Sequence, residues 1–163
     1  MIQDRVIIIM GSSSDEEFTK PTRSTLKKLG IPYDLRVSSA HKTPHKLLEI
    51  LQQYEATEDH IVFITVAGRS NALSGFVDAN TRYPVIACPP PSEKFKVVDI
   101  YSSLRMPSGI SPMVVLEPEN AALAAAKILA LSNAEINQKV SSYQQDAKSK
   151  IALDDEKLRK TGD

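Results

Sequence analysis

His41 and Lys42 stand side by side in the segment Ser38-Ser39-Ala40-His41-Lys42-Thr43-Pro44. Histidine is the side chain suited to exchanging protons near neutrality, and a neighbouring lysine adds a cation for a phosphate or carboxylate. Two further segments have comparable character. Gly11-Ser12-Ser13-Ser14-Asp15 offers backbone N–H groups, hydroxyls and one carboxylate, a set that can hold a phosphate at a helix start and accept from ribose hydroxyls through Asp15. In Ala67-Gly68-Arg69-Ser70-Asn71, Gly68 permits close backbone approach while Arg69, Ser70 and Asn71 supply donors. Each segment also has a plainer reading. The first can be a helix cap without a ligand, His41 a surface histidine, and the third a loop held by its own Asx and Ser hydrogen bonds.

His41 and His45 have the i, i+4 spacing of a helical metal pair. Thr43-Pro44 places a helix start between them, however, and no Cys, Asp or Glu stands beside them to complete a site, so no metal is expected. There is no Walker A loop, no Gly-x-Gly-x-x-Gly and no Gly-x-Ser-x-Gly. Nucleotide triphosphate, dinucleotide and serine-hydrolase readings therefore lack their motifs.

The elements that must position these loops follow from periodicity. Val6–Met10 is a continuous β-branched run, the pattern of a strand buried on both faces. Phe18, Thr22, Leu26 and Leu29 recur at helical spacing up to Gly30, with Pro21 inside the stretch. Either that helix kinks, or it begins later with Pro21 in its first turn. Tyr33–Val37 reads as a second strand. Thr43 and Pro44 read as N-cap and first residue of a helix carrying Leu47, Leu48, Leu51 and Tyr54. Ile61–Val66 is a third strand, with a helix over about Leu73–Thr81, and Val85–Cys88 is a fourth, stopped by Pro89-Pro90-Pro91. Val97–Leu104 reads as helical, Met113–Leu116 as the fifth strand, and Glu119–Leu131 as an Ala-rich helix opened by Pro118.

Strands alternating with helices predict an α/β three-layer sandwich with a central parallel sheet, doubly wound and flavodoxin-like. In such sheets ligands sit beyond the carboxyl ends of the strands, so the loops after strands one, two and three should converge on one site. Ser102–Gly109 would then form a crevice wall or a subunit contact, and His60 should be exposed. From Asn133 onward Ile136, Val140, Tyr143, Ala147 and Ile151 keep helical spacing after the sheet is complete. The expected division is a catalytic domain over 1–132 and a helical extension over 133–163. The extension's apolar stripe packs on a neighbouring subunit or folds back on its own domain, and residues from Asp154 onward should fray.

Composition narrows the functional classes. With 163 residues, 42% of them hydrophobic, the chain can build one domain core. Twenty Lys+Arg balance twenty Asp+Glu, which argues against gripping nucleic acid by bulk charge. Cys88 is the single cysteine, so no intramolecular disulfide or zinc framework is expected. The Val6–Met10 run is too short for a signal-peptide core, and Ala121–Leu131, interrupted by Lys127, is too short for a membrane span. A cytoplasmic protein is expected.

Five segments in order, Met10–Asp15 (MGSSSD), Ser39–Pro44 (SAHKTP), Ala67–Gly75 (AGRSNALSG), Tyr83–Pro91 (YPVIACPPP) and Ser102–Gly109 (SSLRMPSG), resemble the aminoimidazole ribonucleotide carboxylase family of purine biosynthesis. The likeness spans roughly residues 5 to 131. The family's class I mutases carry Ser-Ala-His-Arg and Ala-Gly-Gly-Ala-Ala-His, whereas class II enzymes carry Ser-Ala-His-Lys and Ala-Gly-Arg-Ser-Asn. This chain is similar to class II at both places. The resemblance implies direct carboxylation of aminoimidazole ribonucleotide by carbon dioxide without ATP, biotin, metal or other cofactor. It assigns phosphate and ribose to Ser12, Ser14 and Asp15, nucleotide contacts to Ser39 and Lys42, and proton transfer to His41. Gly68, Arg69, Ser70 and Asn71 would line the pocket for carbon dioxide or the new carboxylate. It also implies a homo-oligomer, an octamer or a tetramer. The alternatives are the class I mutase and a non-catalytic nucleotide- or flavin-binding module. The flavin reading finds few aromatic residues with which to sandwich a ring.

Overall fold

The computed structural model describes residues 2–95 and 97–160. Five strands, β1 (Asp4–Met10), β2 (Tyr33–Val37), β3 (His60–Val66), β4 (Val85–Ala87) and β5 (Met113–Val114), form one sheet in the order β2-β1-β3-β4-β5. Every pairing is parallel. This is the doubly wound, flavodoxin-like α/β sandwich, with the order reversing between β1 and β3.

Strand alternation builds two cores. Val6, Ile8 and Met10 of β1 face the core shared with α1 (Lys20–Lys28) and α5 (Pro118–Leu129). Ile7 and Ile9 face the opposite core, shared with α2 (Pro44–Glu55) and α3 (Ala72–Ala79). A strand buried on both faces has no polar side, which is why Val6–Met10 carries no alternation. In α2 the core side is Leu47, Ile50, Leu51 and Tyr54, and Leu48 is only half-buried.

Register fixes where the loops depart. Met10 pairs with Val37 on one side and Val66 on the other, and Thr65 pairs with Ala87. The carboxyl ends of β1, β2 and β3 are therefore level, and their loops leave from one rim.

Some elements differ from expectation for local reasons. α1 starts at Lys20, after two 3₁₀ turns at Ser13–Asp15 and Glu17–Thr19. Pro21 lies in its first turn, because a proline further inside would clash with the carbonyl four residues earlier. The serine loop thus enters a 3₁₀ turn, and the α1 N-terminus is not at the loop. Gly30 closes α1 at φ 69°, a conformation that favours glycine. The stretch Val97–Leu104 splits into a 3₁₀ turn, Val97–Ile100, and one α-turn, α4 (Tyr101–Leu104). β5 is an edge strand shorter than expected, although Val115 N–H still donates to the Ala87 carbonyl. His60 is exposed and bonds Asp4 at 2.8 Å.

The last helix, α6 (Ala134–Lys160), runs on through the charged stretch from Asp154 that was expected to fray; positions 161–163 lie outside the described residues. Asn133 caps it, its Oδ1 accepting from the N–H groups of Glu135 and Ile136. Ile136 and Val140 are buried in the chain's own core beside α5, so the first turns fold back on their own domain. Further along, Ile151 and Leu153 are exposed. Among the described residues no helix is long and apolar enough to cross a membrane.

Cys88 follows β4 directly and is buried, its thiol donating to the Leu116 carbonyl at 3.6 Å. Burial, with the Glu117 charge adding repulsion, pushes the thiol up from an ordinary 9.0 to about 12. Below pH 9.0 the thiol is neutral in both states, and the native state keeps its full advantage. Between there and about 12 the unfolded chain alone releases the proton, so stability falls as pH rises. At pH 8 Cys88 should resist an aromatic disulfide reagent in the native protein and react at once in urea. Rapid stoichiometric labelling of the native protein would contradict this burial.

Candidate active site

The first loop is tied to the third strand before it turns. Gly11 N–H donates to the Val66 carbonyl at 2.9 Å, holding the start of the loop at the rim. Ser12 then adopts an extended conformation, and its Oγ accepts from Ser14 N–H at 3.2 Å and Ser14 Oγ–H at 2.9 Å. This closes the 3₁₀ turn that carries Asp15. Burial pushes the Asp15 carboxyl above its ordinary range, opposed by a hydrogen bond from the Ser12 backbone and by the positive charge of Arg69. Loops one and three therefore face each other electrostatically.

In the second loop Ser39 and Thr43 clasp each other. Thr43 N–H donates to the Ser39 carbonyl at 2.8 Å, and Ser39 N–H donates to Thr43 Oγ1 at 3.0 Å. Thr43 occupies the N-cap position of α2 as expected, yet its hydroxyl makes no cap bond because the clasp uses it. Ser39 Oγ accepts from Lys42 N–H at 3.3 Å. The result is a one-turn loop with Ala40, His41 and Lys42 at its tip. The His41 and Lys42 side chains are exposed.

The third loop approaches the fourth. A Cβ on Gly68 would lie 3.2 Å from the Pro90 carbonyl oxygen, so the close packing here requires glycine or a shift of that loop. Arg69 has φ 60°, the one non-glycine residue in the left-handed region among those described. That conformation costs roughly 1–2 kcal/mol for a residue with a Cβ and persists only where its surroundings hold it.

The three loops enclose one cleft of about 710 Å³, lined among others by Ser12, Ser14, Asp15, Ser39, His41 and Lys42, and by Gly68, Arg69 and Ser70. The volume suits a ligand of mononucleotide size. Asn71 is the exception among the anticipated residues. It is buried rather than lining the cleft, and its Oδ1 accepts from Ser74 N–H at 3.1 Å as the N-cap of α3. The cap was legible in the sequence, since an Asn immediately before an apolar helix reads first as a cap. Conversely Pro90, Pro91 and Ser92 line the cleft and were not anticipated. They follow β4, and the rule that loops at carboxyl strand ends converge applies to that strand too. A second cavity of about 530 Å³ lies beyond Arg69 and Ser70, walled by Phe95, Val98, Asp99, Tyr101, Ser102 and Arg105, so Ser102 and Arg105 do form a wall, of this neighbouring space. Among the described residues no three His, Cys, Asp or Glu side chains gather as a metal site would need.

Chemically, the cleft is lined by serine hydroxyls and a carboxylate from the first loop, a histidine and a lysine at the tip of the second, and an arginine from the third. It can hold an anionic sugar phosphate and exchange a proton with a group beside it.

Comparison with known proteins identifies the family. Residues 5–150 match the family model described as AIR carboxylase. The phosphoribosylaminoimidazole carboxylase of Archaeoglobus fulgidus is 56% identical over 155 residues, covering 95% of this chain and 85% of that protein. A bifunctional phosphoribosylaminoimidazole carboxylase/phosphoribosylaminoimidazole succinocarboxamide synthetase of Drosophila melanogaster is 47% identical over 128 residues, 78% of this chain and 30% of that longer protein. The crystal structure of Treponema denticola PurE superposes with a TM-score of 0.93 at 54% identity, covering 96% of this chain and 99% of that one. A match over this much of the chain, joined to a cleft built from the same loops that carry the motifs, leaves one conclusion: the chain belongs to the AIR carboxylase family.

Proposed function

We propose that this chain is a purine-biosynthetic, nucleotide-binding carboxylase that joins carbon dioxide directly to 5-aminoimidazole ribonucleotide, giving 4-carboxy-5-aminoimidazole ribonucleotide. The observation that carries the reading is the cleft itself, which His41 and Lys42 line together with Gly68, Arg69 and Ser70, with no second histidine in the third loop. Lysine after His41 and Arg-Ser-Asn after Gly68 favour the class that uses carbon dioxide over the mutase class.

The aminoimidazole ring is electron-rich like an enamine. Its amine lone pair pushes through the ring, the ring carbon bonds to the carbon of carbon dioxide, and one C=O pair becomes the carboxylate. The ring carbon is then tetrahedral and must lose its proton to restore aromaticity. In this reading His41 takes that proton as its general base and returns it in reverse. Ser12, Ser14 and Asp15 hold phosphate and ribose, and Ser39 fixes the turn that presents Lys42 to an anionic group. Gly68, Arg69 and Ser70 orient carbon dioxide and stabilise the growing carboxylate, while Asn71 acts through its cap on α3. No step needs ATP, biotin or a metal.

The same reading treats residues 1–132 as the catalytic unit and 133–163 as an extension in a homo-oligomer, with the exposed outer part of α6 meeting a neighbour. A phosphorylated substrate does not cross membranes unaided, which fits a cytoplasmic enzyme.

The test is ultraviolet assay of carboxyaminoimidazole ribonucleotide decarboxylation, with identification of the product. Release of free aminoimidazole ribonucleotide, and synthesis that depends on bicarbonate but not ATP, is expected. Synthesis only from the N-carboxylated nucleotide would make it a mutase, and activity in neither direction would remove the carboxylase reading.

A further inference from the structure

α4 is a single turn, and its Tyr101 and Leu104 side chains are both more than half exposed, so apolar packing does little to hold it. Its two middle residues are serines, and both grip Asn71. Ser102 Oγ accepts from Asn71 N–H at 2.9 Å and donates to the Asp99 carbonyl at 2.7 Å. Ser103 Oγ, buried, accepts from Asn71 Nδ2 at 2.9 Å. Asn71 Nδ2 also reaches Ser74 Oγ at 2.7 Å, and Ser74 meets Thr65 of β3 at 2.8 Å. One residue's backbone and side chain are thus held between α4 and the sheet.

Arg69, the left-handed residue, sits two positions earlier. Its N–H donates to Asp99 Oδ2 at 3.4 Å, and its carbonyl lies 3.3 Å from Ser102 Oγ. Asp99 and Ser102 therefore bracket the strained residue, and neither lines the 710 Å³ cleft. A strained backbone lasts only while neighbours over-determine it, and these are the neighbours that do so.

We propose that Ser102, supported by Asp99 and Ser103, is a positioning residue that fixes the Gly68–Asn71 wall in the geometry required at the carboxylate end of the reaction. This rests on the carboxylase reading for what the wall does. Without the Ser102 hydroxyl, Arg69 is free to relax to an ordinary φ, carrying its guanidinium and the next peptide away from the cleft. The phosphate and ribose contacts on loops one and two stay in place. The defect should appear in the carbon dioxide dependence rather than in nucleotide binding.

The experiment compares wild type, Ser102→Ala and Ser102→Thr by steady-state kinetics in bicarbonate and nucleotide, with amide hydrogen exchange over residues 66–73. For Ser102→Ala we expect faster exchange there, a fall of about tenfold in kcat/KM for carbon dioxide, and a nucleotide KM within about twofold. Ser102→Thr, which keeps the hydroxyl, should restore both. Unchanged exchange overturns the proposal, as does faster exchange with unchanged carbon dioxide kinetics. Should Ser102→Ala melt near the assay temperature, Asp99→Ala reads the same loop and should err in the same direction. A wild type without carboxylation removes only the carboxylase reading, and the exchange comparison still decides whether α4 fixes the loop.

Discussion

Replacing His41 by Asn is expected to lower turnover by a factor on the order of 10²–10⁴, with nucleotide affinity staying within about tenfold. The backbone clasp between Ser39 and Thr43 builds the loop without the imidazole, so asparagine at the tip should leave the turn intact. His41 is also exposed, so the change opens no cavity. What is lost is a group that accepts a proton near neutrality, since the asparagine amide does not. The tetrahedral ring carbon would form and revert, because carbon dioxide departs unless the ring proton leaves first. Asp15, on the first loop, is assigned to the ribose in the proposed reading. Turnover is followed by ultraviolet absorbance and affinity by calorimetry with aminoimidazole ribonucleotide. Turnover like the wild type would end the proton-transfer role. A parallel loss of affinity would instead make His41 a binding residue.

What could be read in advance divides along a physical line. The three inner strands were legible because a strand buried on both faces must be continuously apolar, and Val6–Met10 and Ile61–Val66 have no other good use. The convergence of the first three loops followed from parallel topology alone, since level strand ends launch their loops from one rim. Local competition was harder to see. Thr43 has the right type for a cap, but its hydroxyl is drawn into the Ser39 clasp, a choice made by the turn and not by propensity. Asn71 carries donors suited to a pocket, yet capping α3 and bonding Ser103 turn it inward. The contribution of Pro90, Pro91 and Ser92 was available from the topology and was not extracted. The Ser102–Asn71 contact was not available, because it joins residues 31 apart through a one-turn helix whose placement is purely tertiary.

Cutting the chain after Leu131 and cutting it after Asp146 should have different consequences. The first removes Ile136 and Val140 from the core beside α5. Burial of two such side chains is worth roughly 3–6 kcal/mol, a large share of the 5–15 kcal/mol that holds a domain together. This truncation should lower the melting temperature by about 6–24 °C and disrupt assembly as well. The second cut keeps Ile136, Val140 and the half-buried Tyr143, so the single-chain fold should melt nearly as the full protein does. It deletes Ile151 and Leu153, which are 70% and 56% exposed and which carry on past the point where the domain covers the helix. An apolar side chain extended into water on a continuous helix is stabilised by nothing within its own chain. If a neighbouring subunit covers it, the shorter chain should sediment as a smaller species than the full-length protein under the same conditions. Ile151→Glu should act in the same direction with one substitution, since it places a charge in the contact. Sedimentation profiles that stay unchanged for the Asp146 cut and for Ile151→Glu would show that the outer half of α6 carries no assembly contact. The stripe's only work would then be the two turns that close the chain's own core.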